Sequence, residues 1–332
     1  MASRYGQKVK ILHIIDILRK YSDEQNPINA QDICRELEKR GVTAERKAIY
    51  DDIAELCDYG YDIIKTATPK KGYFLASREF EIPEIYLLSD AVRTAKFISA
   101  KKSRELISKL DEVLSINQVK QREKGIFFET DSKCANEEIY YNIDGISSAI
   151  EQKKKITFDY CTRSLSENRE LKTNVKQMKL SPYALTWQGD YYYVIGNYEK
   201  YDNLLHLRLD RIKNVEISEE PYRHFSEVSE YKESFDIADY TKKLFGMYSG
   251  ELEEIELKCN KKIIEQVIDR FSDKIFIKKV TEDTFSFSVE AAISEALVTW
   301  IMNYGDDIYV TSPAHLRERI LSRAQEIIKQ YK

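Results

Sequence analysis

Two stretches of the chain hold side chains whose types and spacing could bind charged ligands. In the first, Arg46, Lys47 and Tyr50 fall on one side of a helical wheel, and Ile49, Ile53 and Leu56 on the other. A guanidinium and an ammonium on an exposed helix face can meet base edges and phosphates, although charge on an outer face more often only meets water. Asp51 and Asp52 would be repelled by phosphate, unless Asp52 orients a neighbouring cation. In the second stretch, Leu205 to Asp210, strand alternation puts His206, Arg208 and Asp210 on one face. Leu205, Leu207 and Leu209 take the other face, and Arg211 lies just beyond. Arginine forks match phosphate oxygens. The competing reading is structural, with Arg208 or Arg211 paired to Asp210 or Asp159 to pin strands.

Nothing comparable points to catalysis. His13, His206, His224 and His315 have no partner at His-x-x-x-His or Cys-x-x-Cys spacing. There is no Gly-rich phosphate loop and no Gly-x-Ser-x-Gly. The expectation is a binding protein, not an enzyme, with no metal and no cofactor. Cys34, Cys57, Cys134, Cys161 and Cys259 are odd in number and dispersed, which suits reduced thiols. The apolar run from Ile11 to Leu18 carries Asp16 and is too short to span a bilayer. It has no small-residue cleavage site, so a cytoplasmic location without a membrane partner is expected.

The elements that would position these groups follow from periodicity. At 332 residues, with 42% hydrophobic and 33% charged, two or three globular domains are expected. The net charge of −4 is uneven: residues 1–78 hold 14 Lys+Arg against 12 Asp+Glu, and 139–218 hold 12 against 10. Residues 219–332 hold 16 against 22, so the two basic modules are the ones suited to local DNA contact. A first helix carries Ile11, Ile14, Ile15 and Leu18. A second starts at Asn29, with Asp32 in capping-box position, and stops at Gly41. Thr43 is the expected cap of the third, the helix of Arg46, and counts among the residues facing DNA. After Gly60, the runs Tyr61 to Lys65 and Tyr73 to Leu75 flank Lys70 and Lys71, a basic hairpin.

The segment Arg46-Lys47-Ala48-Ile49-Tyr50-Asp51-Asp52-Ile53 resembles the recognition helix of DeoR-like winged-helix regulators, with Ala48 where Thr is common. The resemblance implies duplex DNA as partner. Thr43, Arg46, Lys47, Tyr50, Lys70 and Lys71 would be its contacts.

Two helices are expected between Glu84 and about Leu114, the second starting near Ser103, then a polar hinge over 115–138. A short helix from Ile143 to Ile150, capped by Asn142, precedes a change to period two. Strands are expected at Ile156 to Cys161, Gln177 to Trp187, Tyr191 to Gly196, Leu204 to Asp210 and Val215 to Ile217. Residues 162–176 read as a loop. Short strands with tight turns suggest a small barrel.

Ser181-Pro182-Tyr183-Ala184-Leu185, Tyr191-Tyr192-Tyr193-Val194-Ile195-Gly196 and Leu207-Arg208-Leu209-Asp210-Arg211-Ile212 together resemble the WYL domain, an Sm-like barrel. Tyr192-Tyr193-Val194 stands where that family has its Trp-Tyr-Leu triplet, so two of the three letters differ. The order of modules resembles bacterial WYL regulators over nearly the whole chain. This implies a nucleic-acid-like effector, single-stranded DNA or an oligonucleotide, contacted by His206, Arg208 and Arg211. Tyr160, Ser181 and Tyr193 are candidate wall residues, and tyrosine rings could stack bases.

Residues 250–332 read as βαββαβ plus a last helix, a ferredoxin-like plan in which Trp300 belongs to the core. In the family this place holds a WCX-type tail domain associated with dimer contacts. The fold expected is thus multidomain α+β. Residues 1–78 form a winged helix-turn-helix, 79–138 a helical linker and hinge, 139–220 the WYL barrel and 221–332 the WCX-like domain. The function implied is an effector-controlled, homodimeric, DNA-binding transcriptional regulator. An RNA- or single-stranded-DNA-binding protein without promoter specificity is the alternative.

Overall fold

The first apolar stripe forms α1 (Arg4–Tyr21), which buries Ile14, Ile15, Ile17 and Leu18. The computed structural model describes residues 4–123 and 133–332. The chain divides into two units, 1–135 and 136–332.

In the first unit, α2 (Ala30–Lys39) starts at Asn29, whose side chain accepts the N–H groups of Gln31 and Asp32. The other half of the expected capping box is replaced, because the Asp32 carboxylate pairs with Arg35. The helix α3 (Arg46–Tyr59) has Glu45 as its cap and not Thr43, which stands exposed outside it. Ile49, Ile53 and Leu56 are buried against α1 and α2. The helix ends at Gly60, whose φ of 115° is open to glycine.

The hairpin β1 (Ile63–Thr66) and β2 (Gly72–Leu75) pairs antiparallel, as the alternation implied. A third backbone segment joins it: Ile28 and Tyr73 exchange hydrogen bonds of 2.9 and 2.8 Å. Gly72 permits this approach, since a Cβ there would stand 2.8 Å from the Ile28 carbonyl oxygen.

Next come α4 (Ile82–Thr94) and α5 (Ala100–Asp111), the latter capped by Ser99 and not by the buried Ser103. A further helix, α6 (Ile116–Glu123), occupies the start of the segment expected to be a hinge. Its polar composition hid a cap: Ser115 Oγ accepts the Gln118 N–H, and Ile116 and Val119 are partly buried. The rest of that hinge, 124–132, lies outside the described residues. Asp23, 5% exposed, accepts a 2.5 Å hydrogen bond from Ser115, and Arg78 donates to the carbonyls of Ser22 and Val113. These bonds join the start of α6 and the end of α5 to the segment after α1 within one unit.

The second unit opens with α7 (Ile139–Gln152). Asn142 is not its cap; it lies inside the helix, 2% exposed, and donates to the Ile212 carbonyl at 2.7 Å. The strands β3 (Lys154–Leu165), β4 (Leu171–Gln188), β5 (Tyr191–Asn197), β6 (Leu204–Arg208) and β7 (Ile212–Pro221) follow. The expected loop over 162–176 is for the most part strand, because β3 and β4 continue as a hairpin to the rung Leu165↔Leu171. All neighbours in the sheet are antiparallel, in the order β6-β5-β4-β3-β7. Among the described residues no ladder joins β6 to β7, so this is a five-stranded sheet and not a closed barrel.

After α8 (Ile237–Lys243) come β8 (Glu251–Asn260), α9 (Ile264–Phe271), β9 (Phe276–Val280), β10 (Thr284–Ile293), α10 (Glu295–Met302), β11 (Ile308–Ser312) and α11 (Ala314–Gln330). Here the succession of elements matches the expectation nearly residue by residue. The strands order as β11-β8-β10-β9, with Ile255, Leu257, Phe287, Leu297 and Val310 in one core. Trp300 packs on Phe245 and Phe271, at ring separations of 5.5 and 5.4 Å.

Candidate nucleic-acid and ligand-binding sites

The outer face of α3 and the hairpin turn form the first candidate surface. Thr43, Arg46, Lys47, Tyr50, Lys70 and Lys71 are all exposed. Among the described residues no carboxylate pairs with Arg46, Lys47, Lys70 or Lys71. Asp52 does not stand free to repel phosphate: it holds Lys10 at 2.7 Å. Tyr50 approaches Tyr73 of β2 with ring centroids 6.2 Å apart, and Lys65 lies 6.0 Å from the Tyr73 ring. The helix face and the hairpin turn thus each present solvated cations, and Tyr50 and Tyr73 link the two elements. Such groups can reach phosphate without breaking an existing ion pair.

The second candidate surface is the corner where β6 ends. The strand stops at Arg208, and Leu209–Arg211 make a single 3-10 turn instead of continuing it. The turn brings the Asp210 carboxylate back onto Arg208, with Nε–Oδ1 at 3.0 Å and a second bond at 2.7 Å to Oδ2. The guanidinium also lies 3.2 Å above the centre of the Tyr191 ring. Burial opposes its charge, yet the hydrogen bonds and charge of Asp210 outweigh this and raise the Arg208 pKa. Tyr193 is the rung partner of Arg208. Burial raises its pKa, and the charge of Arg208 partly opposes this. Arg211 is exposed.

His206 does not join this group as a free donor. Its Nδ1 lies 2.9 Å from the Met247 carbonyl oxygen and its Nε2 2.9 Å from the Tyr240 hydroxyl. Burial pushes its pKa down to about 4, so the ring is neutral near pH 7. Shared strand parity put it on the Arg208 face correctly, but it is covered there by the segment after the sheet. Ser181 is 1% exposed and accepts the Arg223 N–H at 2.9 Å, several rungs from Arg208. Tyr160 stands on β3, opposite Lys176 and Ile212. The corner therefore assembles Tyr193, Arg208 and Arg211 from the expected set and leaves Ser181 and His206 in packing roles. Asp159 takes Asn214 and not an arginine.

Three contributors were not anticipated. Tyr191 is the stacking platform, and its place two residues before Tyr193 could have shown it, since alternation puts both on one face. Asn136 and Asn142 both donate to the Ile212 carbonyl at 2.7 Å, and Asn136 also to that of Asp210 at 3.3 Å. They hold the turn from beneath. Their partners lie about seventy residues away, beyond any local pattern.

Among the described residues there is no cluster of His, Cys, Asp and Glu that could hold a metal ion. No helix of the described residues is long and apolar enough to cross a membrane.

Comparison with known proteins gives two domain matches: the WYL domain over residues 142–217 and the WCX domain over 251–328. No curated protein matches the chain. Among solved structures it is similar to proteasome accessory factor B/C (PafBC) of Arthrobacter aurescens, at 12% sequence identity and a TM-score of 0.26. That match covers 96% of this chain and 46% of PafBC, so the chain spans under half of the PafBC chain's length. The chain thus carries a match to the WYL domain followed by a match to the WCX domain.

Proposed function

We propose that the protein is a WYL-type transcriptional regulator that reads duplex DNA with α3 and the β1–β2 hairpin. The observation that carries this reading is that Arg46 and Lys47 on α3 and Lys70 and Lys71 at the hairpin turn are exposed and have no carboxylate partner among the described residues. In this reading Arg46 and Lys47 meet base edges in a major groove, while Lys70 and Lys71 meet phosphate. Thr43, just ahead of the helix, reaches the backbone.

DNA binding is controlled by a nucleic-acid-like effector at the Tyr191–Tyr193–Arg208–Arg211 corner. Asp210 uses one edge of the Arg208 guanidinium, which leaves the other edge for a phosphate, and the tyrosines can stack a base. The domain plan has boundaries near 78, 138 and 220, with an Sm-like bent sheet and a ferredoxin-like tail domain. A two-fold dimer pairs two half-sites, as DNA readers of this size generally require. The protein acts in the cytoplasm and by binding, without catalysis.

The test is the electrophoretic mobility of the gene's own upstream DNA with the purified protein. A specific shift that changes when a single-stranded oligonucleotide is added is the expected result. No preference for the upstream fragment over unrelated duplex, or equal binding to RNA of the same sequence, would refute the reading.

A further inference from the structure

Strand register divides the sheet face that carries Arg208 into a covered part and an open part. Ala184, Ile195 and His206 form one line across β4, β5 and β6. The segment after the sheet covers this line through Tyr240 and Leu244. The next two lines are Thr186, Tyr193 and Arg208, then Gln188 and Tyr191. The register shift in β4 falls earlier, between Pro182 and Ala184, so the pairing of both lines is regular. Thr186 and Gln188 therefore share the face of Tyr191, Tyr193 and Arg208. Because the strands lie in the order β6-β5-β4, they flank the tyrosines on the side away from Arg208.

The chemistry changes from one side of the tyrosines to the other. The β6 side supplies Arg208 and, one turn on, Arg211. The β4 side has no cation in these lines: Thr186 and Gln188 are neutral, and Asp190 in the turn to β5 is acidic. A phosphate is drawn to the first side and repelled from the second. Gln188 is exposed, and among the described residues neither its amide nor the Thr186 hydroxyl has a hydrogen-bond partner. It stands directly opposite Tyr191 and diagonal to Tyr193, about 5 and 7–8 Å away at Cβ, within reach of a long side chain. The Arg208 guanidinium already occupies one face of the Tyr191 ring. Its other face and Tyr193 are left for a base.

We propose that Gln188 reads the base of the nucleotide whose phosphate lies on Arg208, and that it selects adenine. This rests on the proposed effector role of the corner. Single-stranded bases are recognised by stacking on aromatic rings and by hydrogen bonds to their edges. A carboxamide presents one donor and one acceptor side by side, which matches N7 and the N6 amino group of adenine. Guanine offers two acceptors at the same edge, O6 and N7, and one of them would face the amide oxygen. The nucleotide then lies across the strands, with its phosphate over β6 and its base edge over β4. These are two strand spacings, about 10 Å, apart.

The full chain is dialysed to equilibrium against single-stranded DNA trinucleotides of one base each: adenine, cytosine, guanine or thymine. The adenine trinucleotide should bind about tenfold more tightly than the guanine one, the size of a single two-bond contact. Gln188→Ala should remove this preference and leave the melting temperature unchanged, since the residue is exposed. Gln188→Glu should weaken binding of all four, because it adds a negative charge. It should also rank cytosine above adenine, because a carboxylate only accepts and the cytosine N4 group donates. A residue that merely meets water at the turn would produce no such exchange of preference. An adenine preference that survives both substitutions overturns the reading role of Gln188 and leaves the corner standing. Equal binding of all four by the wild-type chain, or a preference for another base, does the same. A wild-type chain that binds none of them removes the corner reading as well.

Discussion

The cations of α3 and those of the β6 corner are prepared in opposite ways. Arg46 and Lys47 stand in water with no partner among the described residues, whereas Arg208 is gripped by Asp210 and laid on Tyr191. A duplex supplies a dense row of phosphates, so a reader gains from cations that are long, solvated and free to adjust. A pocket for one small anion gains from a guanidinium already fixed in direction, because less rotamer freedom is then lost on binding. The difference implies that substitutions on α3 change affinity without changing stability, while those in the second unit change both.

The largest expected effect is on the pH dependence of the second unit. His206 is neutral in the fold, with its pKa pushed down to about 4, against an ordinary value near 6.5. Between these values the unfolded chain binds a proton that the folded chain does not. Stability is therefore complete above about pH 6.5 and is lost as pH falls toward 4, by about 3 kcal/mol in all. Chemical denaturation at pH 7 and pH 5, followed by hydrogen exchange, should show weakening around β6 and α8. His206→Gln should flatten the response. A stability independent of pH in that range would mean the imidazole is not held neutral.

On α3, Arg46→Ala should lower operator affinity by about 1–3 kcal/mol if the guanidinium grips a base through two bonds. Its effect on unfolding should stay within about 0.5 kcal/mol, as for exposed positions generally. Titration of a duplex operator beside a thermal melt separates the two. Unchanged affinity in Arg46→Ala/Lys47→Ala, with the fold intact, would remove α3 as the reader.

Arg208→Ala tests the other half of the contrast. It leaves the Asp210 carboxylate, 11% exposed, without its guanidinium. Full burial of an orphaned charge would be severe; at this partial exposure the loss should be about 1–2 kcal/mol. The variant should still bind operator DNA and should fail to respond to a single-stranded oligonucleotide. A sharp drop in melting temperature with a normal response would make Arg208 a structural residue alone.

What the sequence disclosed and what it hid divide along the range of the interactions. The period of α3, the β1–β2 hairpin and the whole βαββαβα succession of the tail were legible because each is set by local apolar spacing. The grouping of Tyr193, Arg208 and Arg211 followed from alternation and resemblance. What escaped depends on partners far along the chain. Asn142 looks like a cap beside an apolar run, yet its amide serves a carbonyl seventy residues away. His206 lies on the expected face, but Tyr240 and Met247 cover it. The strand expected to carry Asp210 ends two residues early, and that early end lets its carboxylate fold back onto Arg208. Polarity also misled over 162–176, where exposed residues read as loop and form a ribbon.

The smallest effect sharpens the comparison within the proposed DNA-binding surface. Lys70 and Lys71 sit at the hairpin turn and are exposed, on a different element from Arg46. Lysine is a mobile point charge with no fork to match a base edge, so phosphate is its natural target. Lys70→Ala/Lys71→Ala should therefore weaken operator and unrelated duplex alike. The salt slope should fall by about 0.9 for each phosphate that is no longer neutralised. Arg46→Ala should instead narrow the gap between operator and unrelated DNA, with a smaller change in slope. The two variants, titrated on both duplexes over a range of salt, distinguish a reading helix from a clamping turn. Were the lysine variant to lose affinity for the operator alone, the turn would be reading sequence, and the division of labour between helix and hairpin would not hold.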